Sequence, residues 1–448
     1  MSPSIELKTG LSPDEQMQEI LRGAAEVLPS REALRERLAL GRPLRIKLGV
    51  DPTNFDLHLG HTVPLRKLLT FQRLGHEVQF LIGGFTARIG DPTGRSEARP
   101  QLTRDQVETY AAKFLEQVFT ILDRSRTTVM NNADWFERMT FADAIAIAAQ
   151  ATVARMLERD YFEARWEKQL PIHLHEFLYP LMQGHDSVEM RSDIEIGGTD
   201  QKFNILMGRQ MQETAGQPPQ VVILLPLLPG TDGSQKMSKT AGNHIPLDDA
   251  PIDMYSKVLS IPDAAMLLYF ELLTDVSLRD LAAIREALAW WAKPDMTNLP
   301  LGALDDKERQ RWTADPSAFL TVANALHPKN LKKRLGREIV ATRHGMEAAA
   351  EAEREWVRIH EPAGEGLPTD MPERDLSASF RPGQEVKALD LAEACGLAES
   401  RAELKRLAKQ GGLRINGEPV RDHAATVRAE DGMILSAGKR TFIKVRLS

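Results

Sequence analysis

Two histidines three apart in "DLHLGHT" (56 to 62), His58 and His61, could act on a phosphate, and so could two lysines three apart in "KMSKT" (236 to 240), Lys236 and Lys239. Imidazoles at a helix start would add donors to the free N–H groups and partial positive charge already there, and lysines on a loop flanked by glycines would neutralise a triphosphate as mobile point charges. A metal role for the histidines lacks support. The usual helical zinc pair sits at i, i+4 and needs a further ligand, which this stretch does not offer at helical spacing. Two histidines satisfied locally at a helix start, and a solvated basic loop, are the common alternatives, and these stretches alone leave them open.

Three further stretches carry polar groups where plain structure would not need them. In "FLYPLMQGHDSVEM" (177 to 190), Tyr179, Gln183 and Asp186 fall at i, i+4 and i+7 and share one helix face, which suggests a pocket for a small polar ligand. "IGGFTARIGDPTGR" (82 to 95) puts five glycines and prolines, Asp91 and Arg95 into a loop directly after a strand. "IEIGGTDQKFN" (194 to 204) repeats a strand, glycine turn and helix start, with Asp200 and Gln201 placed for a ribose or a carboxylate.

Positioning these groups requires strands that end beside one another. "LRIKLGV" (44 to 50) and "EVQFLIGG" (77 to 84) read as buried strands joined by a helix from Gly60 to Leu74 that Gly75 ends. Pro64 lacks an N–H, so it is expected within the first turn of that helix, with His58 and His61 at its N-terminus. Ser12, Pro13 and Glu15 form an earlier helix start. A helix over about 104 to 122, helical segments through 141 to 190, the strands "DIEIGG" and "QVVILLP" and a helix from 199 complete an alternating pattern. Such alternation implies an α/β fold with a doubly wound parallel sheet.

At 448 residues the chain is expected to hold several domains. The expected division is a catalytic domain with a helical insertion over 1–245, a helical domain over 246–360, a linker rich in Pro, Gly and acid over 361–385, and a small α+β module over 386–448. One cysteine, Cys395, excludes an intramolecular disulfide and any thiolate metal cage. The longest apolar run, "VVILLPLLP", is too short to span a bilayer, and acids replace the apolar stretch of a signal peptide, so a cytoplasmic protein is expected. A net charge of −6 argues against indiscriminate nucleic-acid coating. Basic residues nevertheless gather locally: residues 327–345 hold six Lys/Arg against one Glu, and residues 401–414 five against one.

"HLGH" with "KMSKT" resembles the signature pair of class I aminoacyl-tRNA synthetases, and "YPLMQGHD" with "GGTDQKFN" resembles the tyrosyl enzymes of that class. The match spans most of residues 40 to 245, and the tail resembles the S4-type RNA-binding domain of bacterial members. The resemblance implies a Rossmann-like catalytic domain that forms tyrosyl-adenylate from L-tyrosine and ATP, with Mg2+ on the phosphates, and passes the tyrosyl group to tRNA(Tyr). It implies that His58 and His61 stabilise the transition state, that Lys236 and Lys239 hold pyrophosphate, and that Thr53 lies near the γ-phosphate. Gly49, Asp51, Gly60 and Asp200 would complete the ATP site, with Asp200 on the ribose. Asp91, Tyr179 and Gln183 would take the amino group of tyrosine, Asp186 its phenol and Gln201 its carboxylate. Arg95 replaces a lysine often found there, and Lys47 stands where many members carry a second tyrosine; it is expected to pair with Asp186 or to point elsewhere. His185 receives no role.

Lys332, Lys333, Arg401, Lys405, Arg406 and Lys409 are the expected RNA contacts, and a homodimer is implied, with no membrane partner. A tryptophanyl enzyme, a synthetase-derived splicing protein without catalysis and another nucleotidyltransferase with an HxGH signature are the competing readings. Asp186 and the S4-like tail favour tyrosine over tryptophan; the full signature set argues against lost catalysis, and the basic tail against the third.

Overall fold

The computed structural model describes residues 5–53, 57–93, 102–292, 326–360, 371–398, 400–420, 422, 424–438 and 441–447. Arg95 lies outside them, as do residues 361–370 of the expected linker. The chain divides into two compact units, Met1–Arg343 and His344–Ser448.

In the first unit a six-stranded sheet is built from β1 (Glu26–Leu28), β2 (Arg45–Val50), β3 (Glu77–Ile82), β4 (Thr127–Asn131), β5 (Ile194–Gly198) and β6 (Val221–Leu225), in the order β1-β6-β5-β2-β3-β4. All neighbours are parallel except β1, which runs antiparallel to β6. The run "VVILL" explains β6: all five side chains are buried, as a parallel strand covered on both faces demands. Strand order reverses between β2 and β5, so a crevice opens there at the carboxyl ends of the strands. Ser12 caps the Pro13–Leu21 helix and Glu15 closes the capping box, as the sequence suggests.

Pro64 departs from expectation. It is the sixth residue of the Leu59–Arg73 helix, beyond the first turn, so the Gly60 carbonyl lacks its helical donor there. The helix continues because Leu65, Leu68 and Phe71 beyond the proline are buried against the core.

The expected boundary at residue 246 is not where the chain divides. Helices Pro251–Ser260, Asp263–Leu273, Leu278–Ala292 and Pro328–His344 follow, and the first three lie wholly within the first unit. The Arg22 guanidinium donates to the carbonyls of Phe270, Glu271, Thr274 and Val276 at 2.5 to 3.2 Å, and the Tyr269 hydroxyl donates to the Pro229 carbonyl at 2.6 Å. Such ties between distant segments are invisible to a composition shift.

The second unit begins with the Met346–His360 helix and contains β7 (Glu373–Asp375), β8 (Glu385–Lys387), the Ala388–Ala394 and Arg401–Lys409 helices, β9 (Leu413–Ile415), β10 (Glu418–Pro419), β11 (Thr426–Arg428), β12 (Ile434–Ala437) and β13 (Thr441–Arg446). The second half of the expected linker belongs to this fold. β7 pairs in parallel with β13, and Leu376 and Phe380 join the apolar cluster of the unit. All three side chains of β7 are exposed, so no alternation marks it as a strand.

Candidate active site

A cavity of about 320 Å³ lies in the crevice between β2 and β5 and is lined from both sides of the switch point. β2 and the loop after it bring Lys47, Gly49, Asp51 and Thr53, and the Leu59–Arg73 helix brings His61 and Pro64. Asp91 comes from the loop after β3, Tyr179, Gln183 and Asp186 from the Leu174–Met190 helix, and Gln201 from the turn after β5. The i, i+4, i+7 face read from the sequence therefore does point into a cavity.

His58 is the N-cap of the Leu59–Arg73 helix, and its backbone N–H donates to His61 Nδ1 at 3.2 Å. The two rings lie 3.9 Å apart between centroids, tilted by 36°. Gly60 makes this possible, because a Cβ there would stand 3.0 Å from His58 Cε1 and Nδ1. Burial pushes His58 down to about 3 and His61 to about 4, with Lys236 lowering both further, so both are neutral imidazoles at pH 7. His58 Nδ1 is buried with no hydrogen-bond partner among the described residues. Neutral rings still donate through N–H.

The lysine loop is tied to the same helix start. Leu59 N–H donates to the Ile245 carbonyl at 3.0 Å, Leu247 N–H to Leu57 at 2.9 Å, and Met237, 1% exposed, is buried beneath the loop. Lys236 pairs with Asp200 at 2.7 Å, and Lys239 is exposed. Asp232 and Asn243 shape the loop: Asp232 accepts from the backbone of Ser234 and Gln235, both at 2.8 Å, and from Asn243 Nδ2 at 2.5 Å. Asn243 Oδ1 accepts from Ser238 N–H at 2.8 Å.

Deeper in the cavity, the polar groups hold one another. Tyr179 donates to Asp51 Oδ2 at 2.9 Å, and Thr86 donates to Asp51 Oδ1 at 2.7 Å. That approach needs Gly83, since a Cβ there would lie 1.9 Å from Asp51 Oδ1. Gln201 donates to Asp91 Oδ2 at 2.8 Å. Asp186, 2% exposed, accepts from Trp135 Nε1 at 3.0 Å and from Asn132 Nδ2 at 3.3 Å. Burial pushes Asp186 up to about 7 against the opposing pull of Lys47 and these two donors.

Residues 39–361 match the model of the class I tRNA synthetases (W and Y), and residues 393–432 match the S4 domain. The tyrosine--tRNA ligase of Moorella thermoacetica is 46% identical over 433 residues, 96% of this chain and 95% of that one. That of Symbiobacterium thermophilum is 43% identical over 442 residues, 98% of each. This chain belongs to the tyrosyl-tRNA synthetase family. A C-terminally truncated mitochondrial tyrosyl-tRNA synthetase of Aspergillus nidulans shares the synthetase fold at a TM-score of 0.57 and 23% identity, covering 78% of this chain and 94% of that one.

Several residues of this synthetase site escape sequence reading. Lys47 does not pair with Asp186; its ammonium meets Glu195 at 3.0 Å, a second charge within a buried strand to which the sequence assigns no role. Asn132 and Trp135 come from the end of β4 and the segment after it, in a region where no motif stands out. His185 lies 3.2 Å from Glu189 one turn along its helix, and its ring packs against Phe136 at 5.8 Å.

The expected RNA contacts differ among themselves. Lys332 is engaged with Asp263 at 2.6 Å and the Ile261 carbonyl at 2.7 Å, which makes it a tie between helices rather than a displayed cation. Arg401 is held by Asp390 and Glu393. Arg406 reaches Glu403 at 3.4 Å, while Lys405 and Lys409 are exposed on the same helix. Lys333 lies half-buried on the Pro328–His344 helix.

Proposed function

We propose that this protein is a tyrosine--tRNA ligase that activates L-tyrosine with ATP and transfers it to the 3′ end of tRNA(Tyr) in the cytoplasm, where these substrates occur together. The observation that carries this reading is Asp186, a buried carboxylate lining the cavity, held by two neutral donors and left with acceptor capacity for a phenol hydroxyl. Phenylalanine would leave that acceptor unmatched. A site built to bond a hydroxyl rejects an analogue lacking it; the factor of about 10⁵ is known for tyrosyl-tRNA synthetases and is not a result of this geometry.

In the first step a tyrosine carboxylate oxygen bonds to the α-phosphorus of ATP while the bond to the bridging oxygen breaks and pyrophosphate leaves with that electron pair. The carboxylate is already the nucleophile, so no general base is required. Asp91 and Gln201, hydrogen-bonded to each other, receive the ammonium and carboxylate of tyrosine, with Tyr179 and Gln183 beside them. Neutral His58 and His61 donate to the α-phosphate as charge builds there, each donor contributing on the order of 2–4 kcal/mol. Thr53 and the β2 loop, with Gly49 and Asp51, flank the phosphates, and Mg2+ enters on ATP. Lys236 exchanges Asp200 for the β- and γ-phosphates, which frees Asp200 for the ribose, and Lys239 joins it from the same loop.

Transfer to tRNA draws on the S4 module, whose Arg401–Lys409 helix presents Lys405 and Lys409. The homodimer rests on apolar exposure: Phe141 is 82%, Leu174 81% and Trp166 66% exposed within one insertion, surface that a second copy would cover. The test is pyrophosphate exchange across all twenty amino acids. Exchange with tyrosine supports the proposal; exchange with tryptophan instead, or with none, overturns it.

A further inference from the structure

Lys47 is 0% exposed and Glu195 1%, and the two stand at paired positions of adjacent parallel strands, β2 and β5. Both line the cavity that holds Asp186. Beyond Glu195 Oε1 at 3.0 Å, the Lys47 ammonium donates to the Gln183 carbonyl at 3.0 Å and to Ser187 Oγ at 2.7 Å. An ammonium has three N–H groups, so all of them are engaged and none is left for a substrate. Gln183 and Ser187 bracket Asp186 on the Leu174–Met190 helix, and Lys47 thereby grips the helix on both sides of that carboxylate.

Glu195 is secured in turn. Its Oε2 accepts from Ser187 Oγ at 2.9 Å and from the Gln220 side chain, while Gln220 N–H donates to Gln212 Oε1 at 2.7 Å. Gln212 also donates to the Ser187 and Ser192 carbonyls at 3.1 and 3.0 Å. A buried charge pair is seldom required for stability, since apolar residues of like volume often serve as well. A network that joins two strands and two helices at the floor of a cavity therefore invites another explanation.

We propose that the Lys47–Glu195 pair is a positioning device for specificity: it fixes the depth of Asp186 and orients that carboxylate as an acceptor, without touching the amino acid. The inference rests on the tyrosine reading given above. Burial alone favours the neutral acid, and Lys47 is the strongest influence against it. The other groups facing Asp186 are Glu195 from β5, which disfavours its charge, Tyr179 from its own helix, bound to Asp51, and the neutral donors Asn132 and Trp135. A neutral carboxyl would turn one oxygen into a donor and blur the preference for a phenol hydroxyl.

The experiment is tyrosine-dependent pyrophosphate exchange from about pH 5.5 to about pH 9. It compares wild type, Lys47→Arg and the double variant Lys47→Met/Glu195→Met, whose folding is checked by thermal melting. In the double variant the acid limb of kcat/KM for tyrosine should move to higher pH, because Asp186 loses Lys47, the largest influence favouring its charge, and only the smaller opposing influence of Glu195 goes with it. KM for tyrosine should rise about tenfold while kcat stays within about threefold, and the preference over phenylalanine should shrink. Lys47→Arg keeps the charge and should hold the limb at its wild-type pH. A folded double variant with the wild-type limb and KM overturns the proposal, and so does a Lys47→Arg limb shifted like that of the double variant. Failure of the double variant to fold also counts against it, because the pair would then be a requirement of the fold. Wild type without tyrosine exchange removes the functional reading itself, whereas an active wild type with unmoved variants removes this inference alone.

Discussion

The two units treat charge in opposite ways. In the first, Lys47, Asp186, Glu195, Arg165 and Glu176 are each less than 5% exposed, and each is tied to named partners. In the second, the buried cluster runs from Leu376 to Leu447 through Leu391, Leu404 and Leu435, and Ser436 is its buried polar companion among the described residues. Lys387, Lys405 and Lys409 of this unit are exposed. Recognition of one small polar molecule needs polar groups fixed in a dry cavity, where an unmatched partner is costly. Attraction to a polyanion needs cations whose counterions can leave, which requires solvent.

Breaking the first kind of site should cost most. His58→Ala and His61→Ala should each lower the tyrosine exchange rate by about 10²–10³ at saturating substrate, as loss of one preorganised donor does, measured as kcat with KM for tyrosine little changed. Histidines that serve only the local fold would instead change the melting temperature and leave kcat alone. Removing residues 371–448 should lower aminoacylation by about ten- to a hundredfold yet leave exchange within about threefold, because the cavity lies wholly in the first unit. Equal loss of both activities would erase the contrast. The smallest effect sharpens it: Lys405→Ala/Lys409→Ala should reduce the salt slope of tRNA binding by about 2, and Arg401→Ala by less, since Asp390 and Glu393 already hold that guanidinium. An Arg401 effect as large as the double lysine effect would reverse this ranking.

Legibility in the sequence divides along similar lines. The parallel strands 45–50, 77–82, 194–198 and 221–225 were readable because each is an apolar run beside a helical pattern, and the site motifs follow their ends. β4, "TTVMN", was not, since three of its five residues are polar and two are exposed. Tyr179, Gln183 and Asp186 were legible because one helix sets their spacing. Glu195, Asn132 and Trp135 were not, because they meet Lys47 and Asp186 only when strands far apart in sequence become neighbours. Lys47 itself stood out as a charge within an apolar strand, yet its partner could be found only in three dimensions. The same holds for Asp232 and Asn243, whose bonds shape the lysine loop across a gap no helical or strand period links.

The central claim is that Asp186 reads the phenol hydroxyl. Its most direct test is the ratio of kcat/KM for tyrosine to that for phenylalanine in pyrophosphate exchange, measured for wild type and Asp186→Ala. The account predicts a ratio lower by about 10³ or more in the variant, through loss of tyrosine activation rather than gain for phenylalanine. A variant that remains active with the wild-type ratio would contradict it.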